Sequence, residues 1–277
     1  MRPDLHLHTA ASDGVLTAFE IAREVQRADV TLFSVTDHDT LSALPAASDA
    51  AYERGLAFIP GVEISTEGEE NIHILGYGVR VGDEKLSAFL RDGAQRREDR
   101  SRRIVRRLAD AGMPLDWDAI QQTTTGSVGR LHIARALANA GYVSSTAEAF
   151  EKYLNRGRLA HVLRDTAPAS QAISMLRSCG AVPVLAHPGQ IRWPCERLLP
   201  MLRAWMDAGL MGLEVYHPAN RNDYSNWDHL ARQSGLLVTG GSDFHDFAGS
   251  HGLIGETAAE WPRAGEDGWA LFQACRR

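Results

Sequence analysis

The chain has 277 residues, 44% of them hydrophobic and 23% charged, which is the composition of a globular protein able to bury one large core. Its net charge of −6 excludes a surface that coats nucleic acid broadly, so any basic site must be local. Three cysteines without a Cys-x-x-Cys pair, no run approaching 18 apolar residues and no basic-then-apolar leader lead us to expect a reducing, cytoplasmic setting without membrane contact.

The first element is Asp4-Leu5-His6-Leu7-His8-Thr9, an apolar alternation that reads as a short strand. Period two puts His6 and His8 on one face, roughly 7 Å apart at Cα, where both imidazoles reach a single metal ion. A polar loop through Asp13-Gly14 follows. Thr17-Ala18-Phe19-Glu20 is a capping box opening an amphipathic helix to about Ala28. A second strand, Thr31 to Thr36, ends in Asp37-His38-Asp39-Thr40, and a helix from about Leu41 is stopped by Gly55. Ala57 to Val62 is a third strand running into Glu63, and Asn71 to Tyr77 a fourth, carrying His73. Strands that are apolar nearly throughout suit a parallel sheet covered on both faces, and strand alternating with helix suits β/α units.

From about residue 83 to 164 the pattern is helical without a convincing strand, which suggests an inserted subdomain; residues 1–82 and 165–277 then form the main domain. An arginine-dense stretch from Arg96 to Arg107, interrupted by Glu98 and Asp99, reads as a solvated helix face with i,i+4 pairing. Strand and helix then resume. Val182–Ala186 ends in His187, Gly212–Tyr216 in His217, and Leu236–Gly240 in Gly241-Ser242-Asp243-Phe244-His245. The expected total is seven strands.

In a β/α barrel the C-terminal strand ends converge on one mouth. Closure would collect His6, His8, Asp13, His38, Glu63, His73, His187, Asp243 and His245 there. So many imidazoles and carboxylates cannot be satisfied as ordinary core, because buried polar groups need partners. They suit two or three divalent ions, and nitrogen and oxygen donors without thiolate favour Mn²⁺, Fe²⁺ or Zn²⁺. No Gly-x-Ser-x-Gly or Cys/His nucleophile motif is present.

The runs Asp4–Thr9, Thr36–Thr40, Gly61–Ser65, Ala186–Gly189 and Gly241–His245 resemble the successive motifs of the PHP (polymerase and histidinol phosphatase) family. The resemblance implies an α/β fold, a distorted seven-stranded (β/α) TIM-like barrel with an inserted helical subdomain, holding two or three metals with Mn²⁺ first. It implies that His6, His8, Glu63 and Asp243 hold one ion and that Glu63 bridges to a second, held by His73 and His187. Asp13, His38 and His245 would hold a third. The insertion resembles that of the family's 3′,5′-nucleoside bisphosphate phosphatases and RNA 5′-exonucleases. In those, an Arg-x-His like Arg130-Leu131-His132 contacts substrate phosphate. Where these relatives show Gly-Lys-Pro-Ala-Tyr-Val, this chain has Gly157-Arg158-Leu159-Ala160-His161-Val162. Arg158 keeps the charge, whereas His161 departs from the aromatic residue expected to touch base or sugar. His217 and His132 are candidate general acids, with Glu63 and Asp13 the catalytic carboxylates; His229 and His251 read as surface.

The expected reaction is hydrolysis of a phosphate ester of a nucleotide or short RNA end by a metal-bridging hydroxide. No stable protein partner is implied. A histidinol-phosphate-type phosphatase and a non-enzymatic, metal-containing RNA or nucleotide regulator are the alternatives.

Overall fold

The computed structural model describes residues 1–66, 72–124, 126–163, 165–248 and 252–276. His251, read as surface, and Asn71, read as a strand start, lie outside the described residues.

The first half runs β1 (Pro3–Leu7), α1 (Ala18–Arg27), β2 (Leu32–Val35), α2 (Leu44–Arg54), β3 (Ala57–Phe58), β4 (Gly61–Ser65) and β5 (His73–Tyr77). Thr17 and Glu20 close the expected capping box at α1, and Gly55 ends α2 in the left-handed region at φ 64°. Helices follow: α3 (Glu84–Asp110), α4 (Trp117–Gln121), α5 (Arg130–Asn139) and α6 (Thr146–Ala149), which passes into a π-helical turn over Phe150–Leu154. The last third is α7 (Ala169–Ser178), β6 (Val182–Leu185), α8 (Cys195–Asp207), β7 (Gly212–Tyr216), α9 (Tyr224–Gln233), β8 (Leu237–Gly240) and α10 (Ala264–Ala274). The sequence reading did not assign α10, whose Leu271 is fully buried.

The expected closed, seven-stranded parallel barrel is corrected in two respects. The strands form two sheets, β1-β2-β3 and β4-β5-β6-β7-β8, joined at their margins by isolated bridges from His38 to Glu63 and from Leu7 to Phe244. The expected third strand is two strands: β3 pairs with β2, Pro60 interrupts the run, and β4 pairs with β5. Proline has no N–H to give a ladder, so the chain changes sheets there. Second, β5 is antiparallel to both β4 and β6. The connection from 66 to 72 is too short for a parallel crossover, which needs a dozen or more residues, so a hairpin is the available answer.

The described residues bury two apolar clusters. The larger lies between the sheets and their helices, with Leu5, Phe33, Val62, Ile74 and Leu213 among its members. The smaller, including Ile104, Leu108, Val128, Ile133 and Leu154, draws its buried members from residues 104 to 162.

Across the interior the Tyr77 hydroxyl donates to the Leu5 carbonyl at 3.0 Å, tying the five-stranded sheet to the three-stranded one. Tyr77→Phe removes that donor with little change of volume. It should lower unfolding free energy by about 1 kcal/mol in urea denaturation; an unchanged midpoint would show that this bond does not hold the sheets together.

Candidate metal centre

The hairpin turns out to serve the site. His6 leaves β1, Glu63 lies in β4, and His38, His187, Asp243 and His245 follow the ends of β2, β6 and β8. Because β5 runs backwards, its first residue, His73, sits at the same mouth, opposite Ser65. Four non-glycine residues among those described have positive φ, and three of them are Asp39 (55°), His187 (28°) and Asp243 (54°). Such strain persists only where the surroundings over-determine it. Gly241 shows the same crowding, since a Cβ there would lie 2.4 Å from the His6 backbone nitrogen.

Four ligand atoms face a common point. His6 Nε2 lies 3.2 Å from His8 Nε2, 3.4 Å from Glu63 Oε2 and 3.2 Å from Asp243 Oδ1. His8 Nε2 is 3.2 Å from each of the same two oxygens. Bonds of about 2.1 Å to a tetrahedral ion put ligand atoms roughly 3.4 Å apart, so the separations fit one divalent ion. Glu63 turns its other oxygen, Oε1, to His73 Nδ1 and to His187 Nε2, the latter at 3.0 Å. A third group gathers His8, Asp13, His38 and His245, with His245 Nε2 3.3 Å from Asp13 Oδ1. His38 lies between the groups, its Nδ1 3.2 Å from Glu63 Oε2 and its Nε2 3.8 Å from Asp13 Oδ2.

Several of these atoms are close without satisfying one another: Asp13 Oδ1, His38 Nδ1 and His187 Nδ1 are buried and make no hydrogen bond. The donor set and these orphaned atoms fit bound cations. Burial alone would raise the Glu63 carboxyl, but His38, His73 and His6 hold it well below the usual carboxylate range. Asp243 is likewise held low against burial by His6 and His245, and Asp13 by His38 and His245. Burial opposes a charge on His8, yet Asp243 and Glu63 carry its pKa up to about 10. In such a cluster protons occupy the place that cations take when they bind.

A layer of carboxylates and one amide, none assigned from the sequence, fixes these groups. Glu214, fully buried in β7, accepts from His6 Nδ1 at 2.9 Å and from the His187 backbone N–H at 2.7 Å. It therefore sets the His6 tautomer and holds the strained His187 backbone. Asp37 accepts from Thr9 N–H and from the Thr9 and Ser12 hydroxyls, and Asp4 from the Ser242 and Gly255 N–H groups. Asn220 clips the carbonyls of Glu214 and Val215 to the Gly189 N–H. The available signal was a lone carboxylate inside the apolar run Gly212–Tyr216, where burial demands a partner.

A cavity of about 310 Å³ opens over the cluster. Its lining includes Asp13, His38, Glu63, His73, His187, Asp243 and His245 together with Arg96, Arg97, Arg100 and Arg130. Arg130 is half-buried in this lining, with burial and the nearby Arg97 pushing its pKa down to about 10, which leaves it cationic at neutral pH. The solvated-face reading of the arginine stretch is corrected for two members. Arg97 donates to Asp13 Oδ2 at 2.9 Å, and the buried Arg100 donates to the Val162 carbonyl at 2.7 Å.

The other expected substrate and acid groups stand elsewhere. His132 accepts the Gly129 N–H on Nδ1 at 2.9 Å, capping α5, and lines a separate cavity. Burial pushes its pKa down to about 4, which favours the neutral ring over the imidazolium near neutrality. His217 accepts the Ala219 N–H on Nδ1 and directs Nε2 to Asp243 Oδ2 at 3.3 Å, which makes it a support for Asp243. Arg158 is exposed and His161 half-buried, and neither is among the residues lining the 310 Å³ cavity; the physical reason is that their segment packs along α3 through backbone carbonyls.

A family model for the PHP domain matches residues 4–155. The chain is 37% identical over 247 residues to the 5′-3′ exoribonuclease Rnm of Salmonella typhimurium, covering 87% of this chain and 84% of that one. It is 32% identical over 249 residues to the 3′,5′-nucleoside bisphosphate phosphatase of Chromobacterium violaceum, covering 87% and 86%. A solved structure from Bifidobacterium adolescentis, described as a metal-dependent phosphoesterase, superposes with a TM-score of 0.82 at 29% identity, covering 93% and 94%. Site and relatives define the class: a hydrolase acting on phosphoric esters. The chain belongs to the PHP family. No helix among the described residues is long and apolar enough to cross a membrane.

Glu214→Gln keeps the side-chain volume and removes the charge behind His6. Metal affinity, read by chelator competition, should fall about tenfold or more while the thermal midpoint moves by only a few degrees. Unchanged affinity would limit Glu214 to a role in folding.

Proposed function

We propose that this protein is a nucleotide-directed phosphoesterase that holds two or three divalent ions, Mn²⁺ before Fe²⁺ or Zn²⁺, and cleaves a terminal phosphate ester of a nucleotide or short RNA. The observation that carries the reading is the cavity lined by imidazoles and carboxylates together with four arginines. His6, His8, Glu63 and Asp243 would hold one ion, Glu63 with His73 and His187 a second, and Asp13 with His38 and His245 a third. When bound, such ions supply Lewis acidity to phosphoryl oxygens and lower the pKa of water. The chain's own residues do the rest. Arg130, which lines the same cavity, would neutralise phosphate charge and fix its orientation, and Arg97 holds Asp13 in place. Glu214 and His217 keep His6 and Asp243 aimed, and residues 83–164 act as a substrate-binding subdomain over the main domain, 1–82 with 165–277. The relatives that act on RNA and on nucleoside bisphosphates support a nucleotide substrate.

Phosphate release from a panel of 3′,5′-bisphosphonucleotide, AMP, 5′-phosphorylated RNA and histidinol phosphate, after chelation and metal reloading, tests the reading. A second phosphate would add a charge-assisted contact in a cavity that arginines help to line. The bisphosphate should therefore exceed AMP in kcat/KM by roughly tenfold, one charge-assisted contact being worth about 1.5–3 kcal/mol. Preference for histidinol phosphate, or metal binding without any turnover, would overturn the proposal.

Arg130→Ala should lower kcat/KM by about thirtyfold or more, since a lost charge donor costs on the order of 2–4 kcal/mol in the transition state. A change within about threefold would make Arg130 a bystander.

A further inference from the structure

The cavity over the cluster is bordered by apolar side chains as well as by charge. Leu131, Ala147 and Phe150 all line it, and all three belong to the helical stretch between residues 83 and 164, whereas every candidate metal ligand comes from outside that stretch. Phe150 is the one phenyl, phenol or indole ring among the described lining residues. The imidazoles there are turned to carboxylates, His38, His73 and His187 to Glu63 and His245 to Asp13, which commits them to the ligand cluster.

Local structure fixes the Phe150 ring. Ser145 caps α6 by accepting the Glu148 N–H, Glu148 accepts from the Ser144 N–H and hydroxyl, and Lys152 pairs with Glu148. Phe150 then opens the π-helical turn, its carbonyl accepting the Asn155 N–H at 2.9 Å, a closure over five residues. Such turns are rare and occur mostly inside α-helices, frequently at functional sites. The half-buried ring packs on the apolar cluster of residues 104 to 162 and still lines the cavity. The Arg130 guanidinium stands over it, 5.5 Å from the ring centroid, within cation–π reach. A cation suited to phosphate and a flat apolar surface therefore stand side by side.

We propose that Phe150 determines specificity: it is the platform against which an aromatic ring carried by the phosphate ester packs, while Arg130 beside it meets the ester's phosphate. The inference rests on the phosphoesterase reading and deepens it, because it makes recognition of the aromatic group, and not of phosphate alone, the property of one side chain. Stacking a base on an aromatic side chain is worth roughly five- to a hundredfold in affinity. A sugar phosphate without such a ring would use the cations and leave Phe150 bare. A Phe150 that only steadied Arg130 would instead serve every phosphate ester equally, and this difference makes the proposal testable.

The test is isothermal titration of the manganese-loaded protein with two phosphonates. One is the analogue of AMP and the other that of ribose 5-phosphate, each with methylene in place of the ester oxygen so that no phosphate can be released. The wild-type protein should bind the AMP analogue about tenfold more tightly. Phe150→Leu should erase most of that preference, weakening the AMP analogue about tenfold and the ribose analogue less than about twofold. Phe150→Tyr keeps the ring and should hold the preference within about threefold of wild type. The ratio of two affinities on one preparation does not depend on the fraction folded, so a less stable Phe150→Leu protein still gives an answer. Equal loss for both ligands overturns the platform, and so does a wild type without preference or a Phe150→Tyr protein that behaves as Phe150→Leu does. Titration needs no turnover, so a protein that discriminates between the phosphonates through Phe150 but releases no phosphate from AMP or the other esters overturns the phosphoesterase reading and leaves the platform standing.

Discussion

One carboxylate, Glu63, has five imidazoles close around it. His6, His8 and His38 face Oε2, and His73 and His187 face Oε1. A buried carboxylate is costly unless its charge is matched, and here desolvation is outweighed by the ring of histidines. That requirement explains the architecture. Glu63 must stand where both sheets deliver histidines, and β4 is the strand at the margin between them, bridged to His38 across the gap. The break at Pro60 lets one apolar run serve both sheets in turn.

The groups around Glu63 are held from behind rather than left to find each other. Glu214, Asp4, Asp37 and Asn220 use charged or amide oxygens to fix backbone N–H groups and ring tautomers near the ligands. The positive φ of His187 and Asp243 is the backbone's share of that cost. Strained positions that anchor ligand atoms are stable only when several partners specify them together, as the paired bonds of Glu214 to His6 and His187 do.

The site was more legible than the fold that carries it. His6-Leu7-His8 declares its geometry because strand alternation is local, and the strand-end histidines and carboxylates stood in short recognisable runs. Strand direction was not local information in the same sense. The His73 strand read correctly as a strand, while its antiparallel pairing depended on a seven-residue connection and on β6, far away in sequence. The facing of α3 was hidden for a similar reason. Arginines at 97 and 100 look like their neighbours at 102 and 103, and only packing against the mouth and against segment 161–162 turns the first two inward. The resemblance gave His132 a phosphate contact, and its place three residues after Gly129 shows why its ring also caps a helix.

Residues 104 to 162 bury an apolar cluster of their own, while Leu86, Phe89 and Leu90 at the start of α3 pack into the main one, and polar bonds tie this helical stretch to the mouth. Arg97 reaches Asp13 and Ser65, Arg135 reaches the Asp13 carbonyl and Asp246, and Thr124 reaches the Ser12 carbonyl. All of these but Ser65 and Asp246 lie in one loop, the one that follows β1 and carries Asp13 into the ligand cluster. Asp13 divides its carboxylate between the two tasks, with Oδ2 on Arg97 and Oδ1 facing His245 and His8. A shift of that loop therefore moves a candidate ligand and the insertion's anchor together. Asp13 in this way ties the position of Arg97 to the charge state of the cluster.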